Sequence, residues 1–410
     1  MSPIVKQIAF VLTLCAAAHA QVVPEATGPA KLPISGNLNY SLRYTQSAEL
    51  GNLYGNWQTS GLSGSANYAN GNERLPFSLT FGGGDTWSIA GSSYAAGSFE
   101  SLLLSQGIVG RKWNIAVRDT ESYRRQAPTT GFSGVPGTGE PIGEPNPSPT
   151  TGESILTVNT STVDNAATGE FRRILSSAMT LNVGGTSTIL RYPDGNGLDT
   201  NTLMANGGLT WRLNARNSFS GTFAFSQFSY PGSGVTIGTD SALLSYKRQW
   251  NRRLSTTVGA GPEWIESSDS AIVPSSTRVS VSAAVNDQLR FGSVGLSFSQ
   301  GTSAGAGYLV GSEVDFVNAS FSREFEKNLT LGITGSYMRT EGLSINGVTN
   351  AKFGGMQASR RLGRNFSAFA NYTAIDQSTS SALSGGVLKG LQQVIGFGIS
   401  YSPRETRLRQ

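Results

Sequence analysis

The stretch from Asn328 to Met338, NLTLGITGSYM, alternates between apolar and polar or small residues with a period of two. One face carries the apolar side chains of Leu329, Leu331, Ile333 and Tyr337. Threonine, serine and glycine fall on the other face, which is the pattern of a β-strand between an apolar and a polar environment. Such strands run about 11 to 14 residues, beyond the roughly 5 to 6 usual in soluble sheets, and suit a tilted bilayer crossing.

The same alternation recurs along most of the chain and predicts 18 strands, with 16 as the alternative count. The predicted strands start near Leu38, Gln58, Leu75, Ser98, Lys112, Thr162, Met179, Thr202, Phe219, Asp240, Leu254, Arg278, Phe291, Glu313, Asn328, Lys352, Phe366 and Gln392. Tight polar turns alternate with longer Gly/Ser/Asp/Pro-rich connections, which is typical of membrane barrels. We therefore predict an all-β, transmembrane, antiparallel up-and-down β-barrel with short periplasmic turns and long extracellular loops. A soluble β-sandwich or adhesin is the alternative, but its strands are usually shorter.

The N-terminus reads as a secretory signal peptide, residues 1–20, with Lys6, an apolar stretch and the small-x-small site Ala18-His19-Ala20. A short periplasmic segment, 21–36, would precede a barrel over 37–403 that contains a long loop at 126–160. A basic tail, 404–410, would follow it. Cys15 is the only cysteine and His19 the only histidine, so the mature chain would have neither.

Loss of Cys15 and His19 argues against Cys/His metal sites and against catalysis by thiolate or imidazole. We therefore expect no enzyme activity, no metal site and no cofactor. Removal of Lys6 lowers the formal net charge from +5 to +4, which is too mild to imply nucleic-acid binding. The Gly-rich segment from Phe81 to Asp85 lacks the lysine and the following helix of a phosphate loop, so no nucleotide is implied.

The chain resembles outer-membrane porin-like barrels, particularly a poorly characterised bacterial group of this size. The resemblance lies in the hairpin pattern, the strand start at Arg111-Lys112-Trp113, the Gly/Pro-rich loop and the arginine-bearing turns. The resemblance covers about Leu38 to Pro403 and implies a location in the bacterial outer membrane. One departure concerns the C-terminus, because many such barrels end on a Phe or Trp that the assembly machinery reads. This chain continues past Tyr401 to a basic tail.

Aromatic residues near strand ends predict two interfacial girdles. The residues are Trp113, Tyr192, Trp211, Tyr230, Trp250, Trp264, Tyr337 and Tyr401.

The alternation also predicts which charges face the lumen: Arg43, Arg118, Arg172, Arg212 and Lys247 against Asp164, Glu170 and Glu263. Their balance suggests weak anion selectivity, since charged rings in a pore select ions. Pairing of these charges across neighbouring strands is the alternative. The loop from Gln126 to Glu153, with Glu140, Glu144 and Glu153, is a candidate constriction loop, with an extracellular disordered loop as its alternative.

We therefore expect an outer-membrane, water-filled channel for passive or semi-selective passage of small polar solutes. The alternative is a non-conducting structural or secretion-associated barrel that serves polysaccharide or protein export. The expected partners are outer-membrane lipid, small polar solutes and the barrel assembly machinery. A homo-oligomer is an alternative to a monomer.

Overall fold

The computed structural model describes residues 36–51, 57–90, 97–125, 161–195, 197–305, 309–325, 328–344, 347–380, 390–403 and 406–408. These residues form the strands β1 Gly36–Gly51, β2 Trp57–Asn70, β3 Phe77–Ala90, β4 Gly97–Val109, β5 Trp113–Arg125, β6 Thr162–Ile174, β7 Met179–Arg191, β8 Thr200–Arg212, β9 Asn217–Tyr230, β10 Val235–Gln249, β11 Leu254–Ser267, β12 Ser276–Leu289, β13 Gly292–Ser303, β14 Ser312–Phe325, β15 Leu329–Gly342, β16 Val348–Arg361, β17 Phe366–Thr379, β18 Gly390–Tyr401 and the short β19 Thr406–Leu408.

The first 18 strands close into one antiparallel barrel. Each strand pairs with its neighbours in sequence, and β1 closes the sheet by pairing with β18 from Leu42 opposite Tyr401 to Gly51 opposite Gln392. The predicted count of 18 is thereby confirmed, as is the predicted fold class. Observed strand starts fall within about five residues of the predicted ones. Among the described residues, no helix is both long and apolar enough to span a membrane.

Short turns gather at one end of the barrel, called the turn end, and several share one hydrogen-bonded design. The Oδ1 atom of Asn214 accepts the backbone N–H groups of Arg216 and Asn217, both at 2.9 Å. The Oδ1 atom of Asn251 likewise accepts the N–H groups of Arg253 at 2.8 Å and of Leu254, the first residue of β11, at 2.9 Å. These Asx turns satisfy backbone donors that a three-residue reversal would otherwise leave unpaired. Such short connections mark the periplasmic end of a membrane barrel.

The two faces of the wall differ as the period of two requires. On the outer face, Leu244 is 63% and Phe223 54% exposed, although both are large and apolar. Neighbouring outward positions on other strands are similarly exposed, for example Leu62, Met356 and Phe397. This apolar outer face suits a hydrocarbon surround, where only helices and closed barrels satisfy all backbone hydrogen bonds.

Aromatic side chains mark the edges of that face, with one correction to the predicted girdles. Trp113, Trp211, Trp250, Trp264 and Tyr337 are exposed there. The assignment of two further residues to the girdles is wrong, because Tyr192 is 8% and Tyr230 only 1% exposed. Both residues lie at the opposite end from the short turns, called the loop end, where they are buried by neighbouring connections.

Candidate functional site: the lumen wall and its mouth

All eight predicted lumen charges lie on the face opposite the exposed apolar side chains. The ladder fixes this, because directly opposed residues share a face: Lys247 and Arg212 both oppose Ser218, and Glu263 opposes Arg278. The same holds for Arg43, Arg118, Arg172, Asp164 and Glu170. Sequence reasoning missed Arg124, Arg278, Arg361 and Glu324, which the register also places on the lumen face.

Basic side chains predominate near the turn end of the lumen. Arg212 and Lys247 flank Ser218 on β9 and are both exposed. Arg172 is exposed near the turn end of β6, two residues after Glu170. Within the described part of the chain, none of these four side chains forms an ion pair with another residue.

Arg43 is held against the wall by an aromatic side chain. Its guanidinium carbon lies 3.7 Å from the centre of the Phe369 ring, close enough for a cation–π interaction. Phe369 in turn lies over Gly398, where a Cβ atom would approach the ring within 2.5 Å. A glycine at position 398 therefore leaves room for the ring against which Arg43 packs.

Acidic lumen residues on β6 and β11 have different surroundings. Asp164 accepts a hydrogen bond from the hydroxyl of Ser122 on β5. Glu263 is only 7% exposed, and its Oε1 atom accepts the backbone N–H of Thr302 at 3.4 Å. Thr302 lies on β13, two strands away from Glu263, so β13 must leave the wall near its end to reach it.

That departure defines the mouth hairpin, which comprises residues 301–305 and 309–314 at the ends of β13 and β14. The β12–β13 ladder ends at Val281 opposite Gln300, although β12 continues to Ser276. The β13–β14 ladder nevertheless runs on to Ser303 opposite Ser312. The hairpin therefore leans across the end of β12 toward β11 and β9.

Polar contacts fix the mouth hairpin in this position. Arg278 on β12 forms an ion pair with Glu313. Tyr230, the last residue of β9, donates its hydroxyl proton to the carbonyl of Ala304 at 2.7 Å. The same oxygen accepts the N–H of Gly311 at 2.8 Å. One phenol thus ties both arms of the hairpin to the wall.

An apolar cluster surrounds these bonds. Its fully buried members on the wall are Phe228, Tyr230, Val235, Ile237 and Ile265, and connections contribute Val273, Ala304 and the partly buried Leu198, Val310 and Leu343. Burial of one such side chain contributes about 1.5 to 3 kcal/mol. The cluster and the hydrogen bonds together make the mouth hairpin a packed part of the barrel.

Two glycines allow the hairpin to pack so closely. Gly305 and Gly311 have positive φ values of 80° and 72°. A Cβ atom would lie 2.3 Å from the Leu309 carbonyl oxygen at position 305 and 2.6 Å from Ile237 Cδ1 at position 311. Only glycine combines this backbone conformation with so close an approach.

A second contact at the loop end involves a carboxylate. Asp194, between β7 and β8, accepts the backbone N–H of Ser161 at 2.9 Å. Hydrogen bonds from the hydroxyl and the N–H of Ser161 lower the pKa of Asp194, because they stabilise its ionised form. This bond connects the start of β6 to the β7–β8 connection.

The predicted constriction loop, with Glu140, Glu144 and Glu153, lies outside the described residues, as do the predicted signal peptide and most of the segment 21–36. Among the residues that are described, no cluster of histidine, cysteine, aspartate and glutamate could hold a metal ion.

The closed 18-strand wall, its apolar outer face and its polar lumen face together decide the class of the molecule. The protein is a transmembrane β-barrel of 18 strands. Its outer face presents apolar side chains to lipid around the described wall, which places this barrel in the bacterial outer membrane.

Comparisons with known proteins were made by sequence and by structure. No family model matches the chain, and no curated protein matches its sequence. Among solved structures, OccAB4 of Acinetobacter baumannii is 7% identical with a TM-score of 0.47, over 92% of this chain and 100% of that one. OccK2 (OpdF) of Pseudomonas aeruginosa, solved with glucuronate, is 10% identical with a TM-score of 0.47, over 90% and 98%. The FrpB iron transporter of Neisseria meningitidis is 9% identical with a TM-score of 0.43, over 89% and 81%.

Proposed function

We propose that the porin-like barrel is a water-filled channel for passive or semi-selective passage of small polar solutes. The observation that carries the proposal is the lumen face of the 18-strand wall, which is lined mainly by serine, threonine, asparagine, glycine and charged side chains. A barrel of about 16 to 18 strands is wide enough to leave an aqueous channel, whereas eight strands are filled by their side chains.

We propose that the mouth hairpin narrows this channel at the loop end. It leans over the lumen face of β9 to β12 and is held by Tyr230, Glu263 and Arg278. The acidic loop 126–153 is proposed as a second constriction. Its deletion should raise conductance and admit larger solutes, and unchanged values would contradict that role.

A weak preference for anions is the expected selectivity. Basic side chains outnumber acidic ones on the lumen face of the described strands, and Arg172, Arg212 and Lys247 lie unpaired near the turn end. Charged groups that line a pore favour ions of opposite sign, and salt screens that effect.

Electrical recording tests the proposal directly. Mature protein, Gln21 to Gln410, would be folded into a planar bilayer and recorded under a salt gradient. Stable current steps, with a reversal potential of the sign that anion flow gives, are the expected result. The variant Arg212→Gln/Lys247→Gln should move that potential toward zero without closing the pore. The absence of current from protein shown to be folded would overturn the channel proposal and favour a non-conducting barrel that serves export.

The remaining partners follow from the same proposal. We expect contact with outer-membrane lipid and insertion by the barrel assembly machinery. Crosslinking in native membranes would show whether copies associate as a homo-oligomer.

A further inference from the structure

The lumen face of β16 and β17 carries a row of polar side chains that are buried without hydrogen-bond partners. Thr349, Gln357, Asn371, Thr373 and Gln377 are each between 1% and 9% exposed. Each has a side-chain oxygen or nitrogen atom with no partner in the described part of the chain. These five residues are called the amide track. Unpaired buried polar groups are rare in native proteins and call for an explanation.

Register places the amide track along one line of the wall. Gln357 opposes Asn371, while Thr373 and Gln377 follow toward the loop end, opposite Gly355 and Ala351. Thr349 lies near the loop end of β16, so the track spans about 8 residues, or roughly 26 Å at the usual strand rise. An extended solute moving along the wall would meet several of these groups at once.

Small and aromatic residues shape the wall beside the track. Asn371 lies over Gly396, where a Cβ atom would meet its Oδ1 atom at 2.5 Å. Phe353 projects from the same face of β16, opposite Ile375 and between the two glutamines. Polar amides alternating with an apolar side chain suit a solute that has both hydroxyl groups and C–H faces.

The sector around the track is almost free of charge. Among the described side chains on the lumen face of β15 to β18, only Arg361 is charged, and it is the last residue of β16 at the turn end. The opposite wall contrasts with it, because β5 and β6 carry Arg118, Glu170 and Arg172. A carboxylate solute would find several charged groups there, whereas beside the amide track it would meet Arg43 of β1, which lies over Phe369, two residues before Asn371.

We propose that the amide track is a binding path for neutral polyhydroxylated solutes, that is, uncharged carbohydrates. Each sugar hydroxyl both donates and accepts hydrogen bonds, as the track requires, since its unpaired atoms include the acceptor oxygen of Gln357 and the donor nitrogen of Asn371. When these amides rotate from the wall toward a solute, their unpaired oxygen and nitrogen atoms gain hydrogen bonds to its hydroxyl groups, which favours binding. This inference rests on the proposed channel and adds its substrate class.

Two measurements on the full mature protein test the path. Raffinose, a neutral trisaccharide, would be added to single channels while current interruptions are counted. Its binding to the detergent-folded barrel would also be measured by calorimetry. Gln357→Leu/Asn371→Leu should weaken both signals by tenfold or more, and Gln377→Leu should weaken them less. Asn206→Leu removes an amide from the lumen face of β8 and should leave both signals unchanged.

The outcomes separate this inference from the channel itself. Currents that raffinose leaves undisturbed, together with no heat of binding, would overturn the carbohydrate path while the channel stands. Tighter binding of glucuronate than of raffinose, unaffected by the double variant, would also overturn it. Binding of raffinose that the double variant abolishes in a barrel without current would support the path and overturn passive conduction.

Discussion

Replacement of Tyr230 by phenylalanine removes one oxygen atom from the centre of the mouth. The ring can stay in its apolar cluster, but the hydrogen bonds of 2.7 and 2.8 Å to Ala304 and Gly311 are lost. Both backbone groups are then buried without a partner as long as the mouth hairpin remains in place. When the hairpin swings away from the wall, water can satisfy them again.

Each unpaired buried group costs about 1 to 3 kcal/mol. Two such groups destabilise the closed hairpin by about 2 kcal/mol at the least. Since about 1.4 kcal/mol corresponds to a factor of ten, the open population should rise roughly 30-fold. Current recordings should show this as more frequent transitions to a wider conducting level.

A cysteine label measures the open population independently of current. A protein produced from Gln21 onward has no cysteine, because Cys15 is the only one in the sequence. Ala304→Cys would place a thiol at a position that is 5% exposed. If opening and closing are fast, the labelling rate by a soluble maleimide follows the open population. We expect it to rise about 30-fold when Tyr230→Phe is added.

Tyr246 provides the matched control. Its hydroxyl donates to Asn217 at 2.6 Å near the turn end, so Tyr246→Phe also removes a tyrosine hydrogen bond but leaves the mouth intact. It should not alter labelling at position 304. Equal labelling rates in the Tyr230→Phe and unmodified backgrounds would refute the idea that this phenol holds the hairpin closed.

Three other expectations concern the wall and its loop end. Leu244→Arg should lower the free energy of unfolding of the barrel in bilayers by about 2 to 4 kcal/mol, measured by denaturant titration. Ser245→Arg should be tolerated because position 245 faces the lumen. Similar losses of stability in both variants would contradict the register. Gly311→Ala should speed labelling at the mouth about fivefold or more, since its φ of 72° strains a residue with a Cβ by about 1 kcal/mol or more; no change would show that the hairpin absorbs the methyl group. The protection factor of the Ser161 amide against hydrogen exchange should persist down to the usual carboxyl pKa and be lost only as pH falls through the lowered pKa of Asp194, because the bond stabilises the ionised carboxylate. Loss of protection already above the usual carboxyl pKa would contradict the bond.

Strand number, turn positions and the facing of each strand were predictable from local pattern. Residues 328–338 alternate between apolar and polar or small side chains because lipid lies on one side of the strand and water on the other. Each strand shows this alternation independently of its neighbours. The Asx turns at Asn214 and Asn251 are equally local, since each involves a side chain and the backbone two and three residues further on. The lumen facing of Arg212 and Lys247 follows from the same alternation.

The mouth was not predictable in this way. Alternation and strand-end position assigned Tyr230 to an interfacial girdle, yet its hydroxyl binds residues more than 70 positions later in the chain. The mouth hairpin, residues 301–305 and 309–314, has no local signals in the sequence beyond glycines and a few apolar residues. Nothing local distinguishes it from the other loops, because its partners lie on β9, β11 and β12.

By itself, then, the sequence determined a membrane barrel of 18 strands, which turns are short, and which side chains face lipid or lumen. The period of two arises because every strand has lipid on one side and water on the other. It can therefore be detected in each strand without knowledge of distant contacts. Only the tertiary structure decided that the mouth hairpin leaves the wall and packs against β9 and β11, and that Phe369 contacts Arg43. It also decided that five polar side chains of β16 and β17, which have no partner among the described residues, lie along one line of the wall. These features arise from contacts between strands brought together by barrel closure, and such contacts leave no periodic trace along the chain.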